Sequence, residues 1–345
     1  MGKTTPIEWC DSSVNPVMGC DGCELWIPGK VEHCYAGSLH KIRAGRPGYA
    51  DQFEVPKLFP GRMAVAAAWN TSPDRTDKPW LHGPRKIFIS DMGDALSRDV
   101  PLEYLRDEVI GAVTSENGRR HHWLWPTKQP QRMVKLAEMI GGWPENLWAM
   151  TSVTSAEQLG RVRHLLRVPA KVRGVSYEPA LGAVDFGPYL PGCDKECAEC
   201  AREHDHLAEA IRTGERPLGR VTRERPHRAG IDWLIVGGES GPGARPFDLE
   251  WARSVVAQCK DAGVAVFVKQ LGTRPRETIE MKDRELIING DRKTYKAGVG
   301  TVRAPRVTAF GEHNGLPFTE YGLNDRKGGD WSEWPEDLRL RQFPV

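Results

Sequence analysis

The chain has 345 residues, of which 39% are hydrophobic and a further 36 are glycine, so it has the apolar content to bury a core and is not a disordered chain. With 48 Lys and Arg against 46 Asp and Glu the formal charge is +2, which excludes a uniformly basic nucleic-acid binder and leaves only local basic patches. No run approaches the roughly 20 apolar residues of a membrane span, and Met1–Pro6 lacks the apolar stretch of a signal peptide, so a cytoplasmic protein with no membrane partner is expected. In that reducing setting the eight cysteines are expected as metal ligands, catalytic groups or buried thiols, not disulfides.

In chain order, a first strand is expected between Ile7 and Val17. Short apolar runs closed by Gly, Pro or polar residues then predict strands at Lys86–Ser90, His122–Pro126, Leu147–Ser152, Val172–Glu178, Asp232–Gly237 and Ala265–Gln270. Helical periodicity predicts helices at Leu102–Thr114, Arg132–Ile140, Ser155–Leu166 and Leu249–Ala262. Unbroken apolar runs such as Trp233–Val236 and Val264–Val268 suit strands covered on both faces. The alternation predicts an α/β fold with a complete or partial parallel (β/α) barrel of TIM type over residues 1–272. Three stretches interrupt it: a Gly-, Pro- and Trp-rich excursion at Arg43–Gly83, a Cys/His-rich insertion at 187–230, and a polar C-terminal extension at 273–345 with strand-like runs at Leu286–Ile288 and Arg306–Phe310.

In parallel barrels chemistry gathers at the C-terminal strand ends. Here those ends carry Ser90-Asp91-Met92-Gly93-Asp94, Thr127-Lys128-Gln129, Thr151-Ser152, Ser176-Tyr177-Glu178, Gly237-Gly238-Glu239-Ser240-Gly241 and Lys269-Gln270. One or two polar ends are ordinary solvated loops; six in succession point to a polar pocket, with Lys128, Glu178, Glu239 and Lys269 as its candidate catalytic groups. A structural Lys269 pair with Glu239 or Glu178 is the competing role.

Directly after the first strand come Cys20, Cys23 and Cys34. Three thiols suit a four-iron cluster that keeps one iron open for a ligand, whereas a structural zinc ion wants four protein ligands, which Cys10 would complete. Cys259, in a helical segment, reads as a buried thiol.

Glu8-Trp9, Asn15-Pro16, Gly19-Cys20, Cys34-Tyr35-Ala36, the Ser90–Asp94 strand end, Val175–Pro179 with Leu181-Gly182, Val236–Pro246, Phe267–Gln270, Gly328–Asp330 and Trp334–Glu336 run in order through most of the chain. Together they resemble an uncharacterised bacteriophage-associated protein family, itself similar to the radical S-adenosylmethionine (SAM) superfamily, with spore photoproduct lyase as a relative in kind of chemistry. The resemblance implies a barrel of radical SAM type, with a [4Fe-4S] cluster on Cys20, Cys23 and Cys34, bound SAM and an electron donor for the cluster. It places the SAM methionine amine near Ser90, Asp91 and Asp94, and the ribose or carboxylate near Ser152 and Ser176. Gly237 and Gly238 would allow close backbone approach, with Glu239 supplying charge beside them.

A second group, Cys193-x3-Cys197-x2-Cys200 with His204, offers four ligands in twelve residues. A closed zinc site that folds the insertion is expected, with a second or primary iron–sulfur cluster as the alternative. Arg212–Arg228 holds six Arg against two Glu, a net of +4, which suits phosphate contacts or a solvated loop. The expected function is radical SAM modification or repair of a nucleic-acid base or nucleotide. The alternatives are a non-radical zinc enzyme using the same pocket, or a non-catalytic, zinc-dependent nucleic-acid-binding phage protein.

Overall fold

The computed structural model of the protein describes residues 2–192, 230–278, 306–313 and 316–344. Seven parallel strands form its main sheet: β1 (Ser12–Val14), β2 (Lys86–Ile89), β3 (His122–Thr127), β4 (Leu147–Ser152), β5 (Arg173–Tyr177), β6 (Trp233–Gly237) and β7 (Ala265–Gln270). Each strand pairs with the next in sequence, β1 and β7 being the two edges. The sheet is thus a parallel half-barrel, the partial form of the expected architecture.

The strands read as unbroken apolar runs because both faces are covered. On one face Ile87, Ile89, Trp123, Trp125, Leu234, Val236, Val266 and Val268 pack against the helices. On the inner face Phe88, Leu124, Trp148, Met150, Trp233, Ile235 and Phe267 form a separate cluster with Trp9 and Cys10. The registers Phe88↔Leu124 and Ile235↔Phe267 keep that alternation in step from strand to strand.

The helices are α1 (Tyr35–Arg43), α2 (Arg62–Ala67), α3, α4 (Pro130–Ile140), α5 (Gly160–Leu165) and α6 (Leu249–Ala262). Helix α3 fills the expected 102–114 span but winds as α over Leu102–Tyr104, π over Leu105–Ile110 and α over Gly111–Thr114. The wider turn buries both Val109 and Ile110 with Leu105, which a 3.6-residue period does not register. The expected Ser155–Leu166 helix is split. A Ser155/Gln158 capping box tightens Ala156–Gln158 into a 3-10 turn, and only then does α5 begin. Helix α6 starts at Asp248, whose side chain accepts from the Glu250 amide, and stops at Gly263 in the left-handed region.

The C-terminal residues are more than the appended extension expected of 273–345. Strands Pro275–Thr278, Leu316–Gly322 and Arg306–His313 build a second sheet with Phe247–Asp248. Further on, the Val268 amide donates to the Leu340 carbonyl (2.8 Å) and the Gln342 amide to the Val266 carbonyl (3.0 Å), so the tail covers the open edge of β7. Trp233 Nε1 donates to the Gln342 carbonyl, and the Phe343 ring sits 5.1 Å from that of Trp233. The run expected at Leu286–Ile288 lies outside the described residues. So do Cys193, Cys197, Cys200, His204 and the Arg212–Arg228 stretch.

The excursion between β1 and β2 is tied back by two cations, Lys78, which is buried, and Arg75, which is half-buried. Lys78 Nζ donates to the carbonyls of Thr5, Ile7 (2.8 Å) and Cys10 (2.8 Å). Arg75 donates through Nε (2.8 Å) and Nη2 (2.9 Å) to Asp11, which also accepts from the Lys86 amide (2.7 Å). Burial opposes the Asp11 charge, but these bonds outweigh it and hold its pKa below the usual carboxylate range. A depressed folded-state pKa gives stability that is present above about pH 4 and is lost as pH falls through the folded value. Arg75→Gln is therefore expected to cost about 2–3 kcal/mol at pH 7. In urea titrations its deficit against the parent should shrink below pH 4; an equal deficit at both pH values would show that the pair does not set the acid response.

Candidate active site

The loop after β1 is built as a platform over the C-terminal strand ends. Gly19, at φ +98°, pairs with Gly93, and a Cβ on Gly93 would lie 2.4 Å from the Gly19 carbonyl oxygen, so only glycine permits the crossing. The Asp94 amide donates to the Gly19 carbonyl (3.1 Å) and the Cys20 amide to the Phe53 carbonyl (2.7 Å). Cys23 and Trp26 exchange two backbone bonds, closing a turn that the Trp26–Ile27 and Val31–Glu32 hairpin extends. Trp26 lies flat on α1 where Gly37 leaves room, and Cys34 is the N-cap residue of that helix. Glu24, next to Cys23, accepts from Arg161 (2.6 and 3.0 Å) and Thr154 (3.1 Å) at the far end of β4. These ties bring Cys20, Cys23 and Cys34 to one apolar cluster with Met18, Trp26, Ala36, Phe53 and Met92.

Burial raises the Cys23 thiol above its ordinary pKa and the Cys20 thiol well above it; Asp94 adds to the shift at Cys20 and Lys128 opposes it at both. Any metal held here displaces protons, so its binding strengthens with pH. Burial opposes the charge of Lys128 too, but Cys23, Glu24 and Cys34 outweigh it and raise its pKa. Lys128 is thus the cation of the cysteine platform. Among the described residues no three Cys, His, Asp or Glu side chains converge to hold a single ion. One tetrahedral ion needs thiolates roughly 3.8 Å apart at Zn–S lengths of about 2.3 Å. A four-iron cluster spreads its thiolates over different irons. Three thiols packed against one apolar patch are of the donor type that such a cluster takes. Cys10, fully buried in the inner cluster, packs apart from the three.

Below the platform, the inner-face alternation continues into Ser90, Ser152, Ser176, Glu178 and Lys269. Lys269 Nζ is 3.0 Å from Glu178 Oε1, and Ser176 Oγ donates to Glu178 Oε2 (3.2 Å). Burial opposes the Lys269 charge; Glu178 and Glu8 outweigh it and raise its pKa. Ser90 is held at φ +73° with a buried hydroxyl that has no partner among the described residues, a strained residue at a strand end facing the pocket. Asp91 shares Oδ1 with Asn15 Nδ2 (2.5 Å), whose Oδ1 accepts from the Met92 amide (2.9 Å). The Tyr35 hydroxyl donates to the Asp91 carbonyl, joining α1 to the same strand end.

Several residues singled out from sequence have structural duties. Asp94 accepts from the Leu96 amide (2.9 Å), Thr127 Oγ1 (2.8 Å) and the Lys128 amide (2.9 Å), which leaves Asp91 as the pocket carboxylate of that strand end. Glu239 is clamped by Arg245 through Nε and Nη2 (both 2.8 Å) and by the Arg245 amide (2.9 Å), so Lys269 pairs with Glu178 and not with Glu239. The room provided by Gly238 is filled by the Leu271 carbonyl, 2.5 Å from where a Cβ would lie, and Gly237 abuts Glu178 Oε1 at 3.0 Å. Sequence reading missed Asn15, Glu24, Arg161 and the Gly19–Gly93 crossing. Asn15 stood in the Asn15-Pro16 motif, but the others gain meaning only from partners 74 to 137 residues away.

Fold and site define an α/β half-barrel protein with a three-thiol loop over a polar mouth at its C-terminal strand ends. The chain belongs to the family of proteins of unknown function designated DUF5131, which it matches over residues 4–299. No curated protein and no solved structure matches it.

Proposed function

We propose that the protein is an enzyme of radical SAM type, acting on a nucleic-acid base or nucleotide to modify or repair it. The observation that supports this most is positional: the loop that follows the first strand of a sequentially ordered parallel half-barrel carries three thiols to one patch above a polar pocket. Cys20, Cys23 and Cys34 would hold the [4Fe-4S] cluster. Bound together, cluster and SAM supply one-electron cleavage of a sulfonium and hydrogen-atom abstraction, given an external electron donor. The chain's own residues do the rest. Asp91, oriented by Asn15, accepts from a ligand ammonium; Ser152 and Ser176 offer hydroxyls on neighbouring strands; Lys128 balances negative charge at the platform. The apolar inner cluster beneath excludes water. No helix among the described residues is long and apolar enough to cross a membrane.

The reading is tested by anaerobic purification after iron-replete expression. A brown protein with about four iron per chain that converts SAM to 5′-deoxyadenosine on reduction is expected; a colourless protein holding zinc alone would overturn it. The Lys269–Glu178 pair yields its own expectation. Lys269→Met strands a part-buried carboxylate and should cost about 2–3 kcal/mol in urea unfolding, with the Lys269→Met/Glu178→Gln double variant recovering part of the loss. No recovery in the double variant would show that the two do not act as a pair.

A further inference from the structure

A second cavity lies at the opposite end of the sheet from the cysteine platform. It measures about 230 Å3 and is walled by Trp80, Trp148 and Phe343. Its polar side chains are the exposed His82 together with Lys86 and His122, the first residues of β2 and β3, which stand opposite one another in the parallel register. The N-terminal end of such a barrel ordinarily serves stability. Yet Lys86 is only 4% exposed, and its ammonium has little to hold. Nζ donates to the His82 carbonyl at 2.5 Å and stands 4.9 Å from the centre of the Phe343 ring. Asp11, the carboxylate that acts on it, is already engaged by the Arg75 guanidinium and the Lys86 amide.

His122 completes the picture. Its ring lies 5.3 Å from that of Trp148, and Nδ1 is buried with no hydrogen-bond partner among the described residues. Burial, with the charges of Lys86 and Lys171, pushes the imidazole down to about 4, and burial with Arg75 pushes Lys86 down to about 8. Arg341, stacked 3.7 Å from the Trp80 ring centre, adds a further cation, with Glu8 acting on it from the other side. Among the described residues no carboxylate forms an ion pair with Lys86, and three aromatic rings stand in the wall around it. An inorganic anion would satisfy the charge and leave the walls bare; a neutral apolar molecule would do the reverse. A cavity of about 150 Å3 accommodates benzene, so this one has room for a ring and an acid group.

We propose that this cavity is a binding site for a small aromatic carboxylate, its ring between Trp80, Trp148 and Phe343 and its carboxylate on Lys86, with His122 Nδ1–H as second donor. The site uses none of the residues of the cysteine platform, so it stands independently of the radical SAM reading. The C-terminal tail supplies one wall, which makes occupancy a stabiliser of the covered β7 edge.

Benzoate and its neutral isostere benzamide, titrated into the full chain at pH 7 with tryptophan fluorescence and thermal unfolding as readouts, test it. Benzoate is expected to bind at millimolar concentration or better and to raise Tm, with benzamide and sodium sulfate each at least tenfold weaker. Lys86→Met should abolish the discrimination between benzoate and benzamide, and His122→Phe should weaken benzoate severalfold. No benzoate binding at about 10 mM, equal binding of benzamide, or unchanged benzoate affinity in Lys86→Met would each overturn the proposal. Should Lys86→Met fail to fold, the benzoate–benzamide–sulfate comparison on the parent protein decides it alone.

Discussion

Alanine at Cys20, Cys23 or Cys34, one at a time, is expected to reduce iron per chain from about four to below one after anaerobic reconstitution, and to abolish the brown absorbance. The expectation rests on placement: all three thiols contact the same apolar cluster, each held by a different device. Cys20 is fixed through Phe53 and the Gly19–Gly93 crossing, Cys23 by its turn with Trp26, and Cys34 by its place at the start of α1, where its carbonyl accepts from the Ser38 amide. A cluster on three thiolates has no spare ligand, so one deletion suffices. Cys10→Ala and Cys259→Ala are the controls, because both thiols are fully buried in apolar packing elsewhere. They should keep their iron and lose only stability. If Cys10→Ala removes the iron, or the three platform variants retain it, the ligand assignment is wrong.

Asp94→Ala carries the largest stability effect expected of any residue at the mouth, about 3–5 kcal/mol. The carboxylate is 6% exposed and is the common acceptor for two main-chain amides and a threonine hydroxyl. Its removal leaves the Leu96 and Lys128 amides and Thr127 Oγ1 without a partner in a place water does not reach. Asp94→Asn keeps one acceptor oxygen but turns an amide donor toward other donors, and should cost less than the alanine change while remaining destabilising. Because the Asp94 amide also holds the Gly19 carbonyl, loosening this junction should expose the platform thiols. Faster reaction of Cys20 and Cys23 with a thiol reagent, alongside the lower urea midpoint, is the measurement. A stability loss below about 1 kcal/mol would show that the junction does not depend on this carboxylate.

The two ends of the sheet differ in what they demand of their neighbours. At the mouth, three charge pairs close within the chain, Lys269 with Glu178, Glu239 with Arg245 and Glu24 with Arg161, while Asp91 and Lys128 stand outside them. At the other end Lys86 has a carbonyl and an aromatic ring but, among the described residues, no free carboxylate. That asymmetry is the physical ground for placing a ligand carboxylate there, and it lies in the distribution of partners, not in residue type.

Much of the half-barrel was legible because its strands are apolar on both faces and close in turn-forming residues, a pattern that survives without knowledge of partners. Leu147–Ser152 and Ala265–Gln270 fall where expected, as do the ends of α6 and α3. The departures come where long-range contacts override local pattern. The first strand, Ser12–Val14, lies between Ile7 and Val17 as expected, but its anchoring is long-range: the Cys10 carbonyl accepts from Lys78 Nζ and Ser12 Oγ donates to the Lys3 carbonyl. The tail from Leu340 to Phe343 has no strand pattern, and it joins the barrel because β7 offers an unpaired edge and Trp233 an open donor.

The same division holds for the chemistry. Composition, the closeness of three cysteines after one strand, and the succession of polar strand ends were sufficient to mark out the C-terminal strand ends and the thiols beside them. Those are local properties, read directly from spacing. Which carboxylate remains available, which lysine pairs with which glutamate, and that Gly238 is filled by Leu271 were decided only by the tertiary structure. A charged group's role depends on what else lies within a few ångströms of it, and in a parallel barrel those neighbours arrive from strands far apart in the chain.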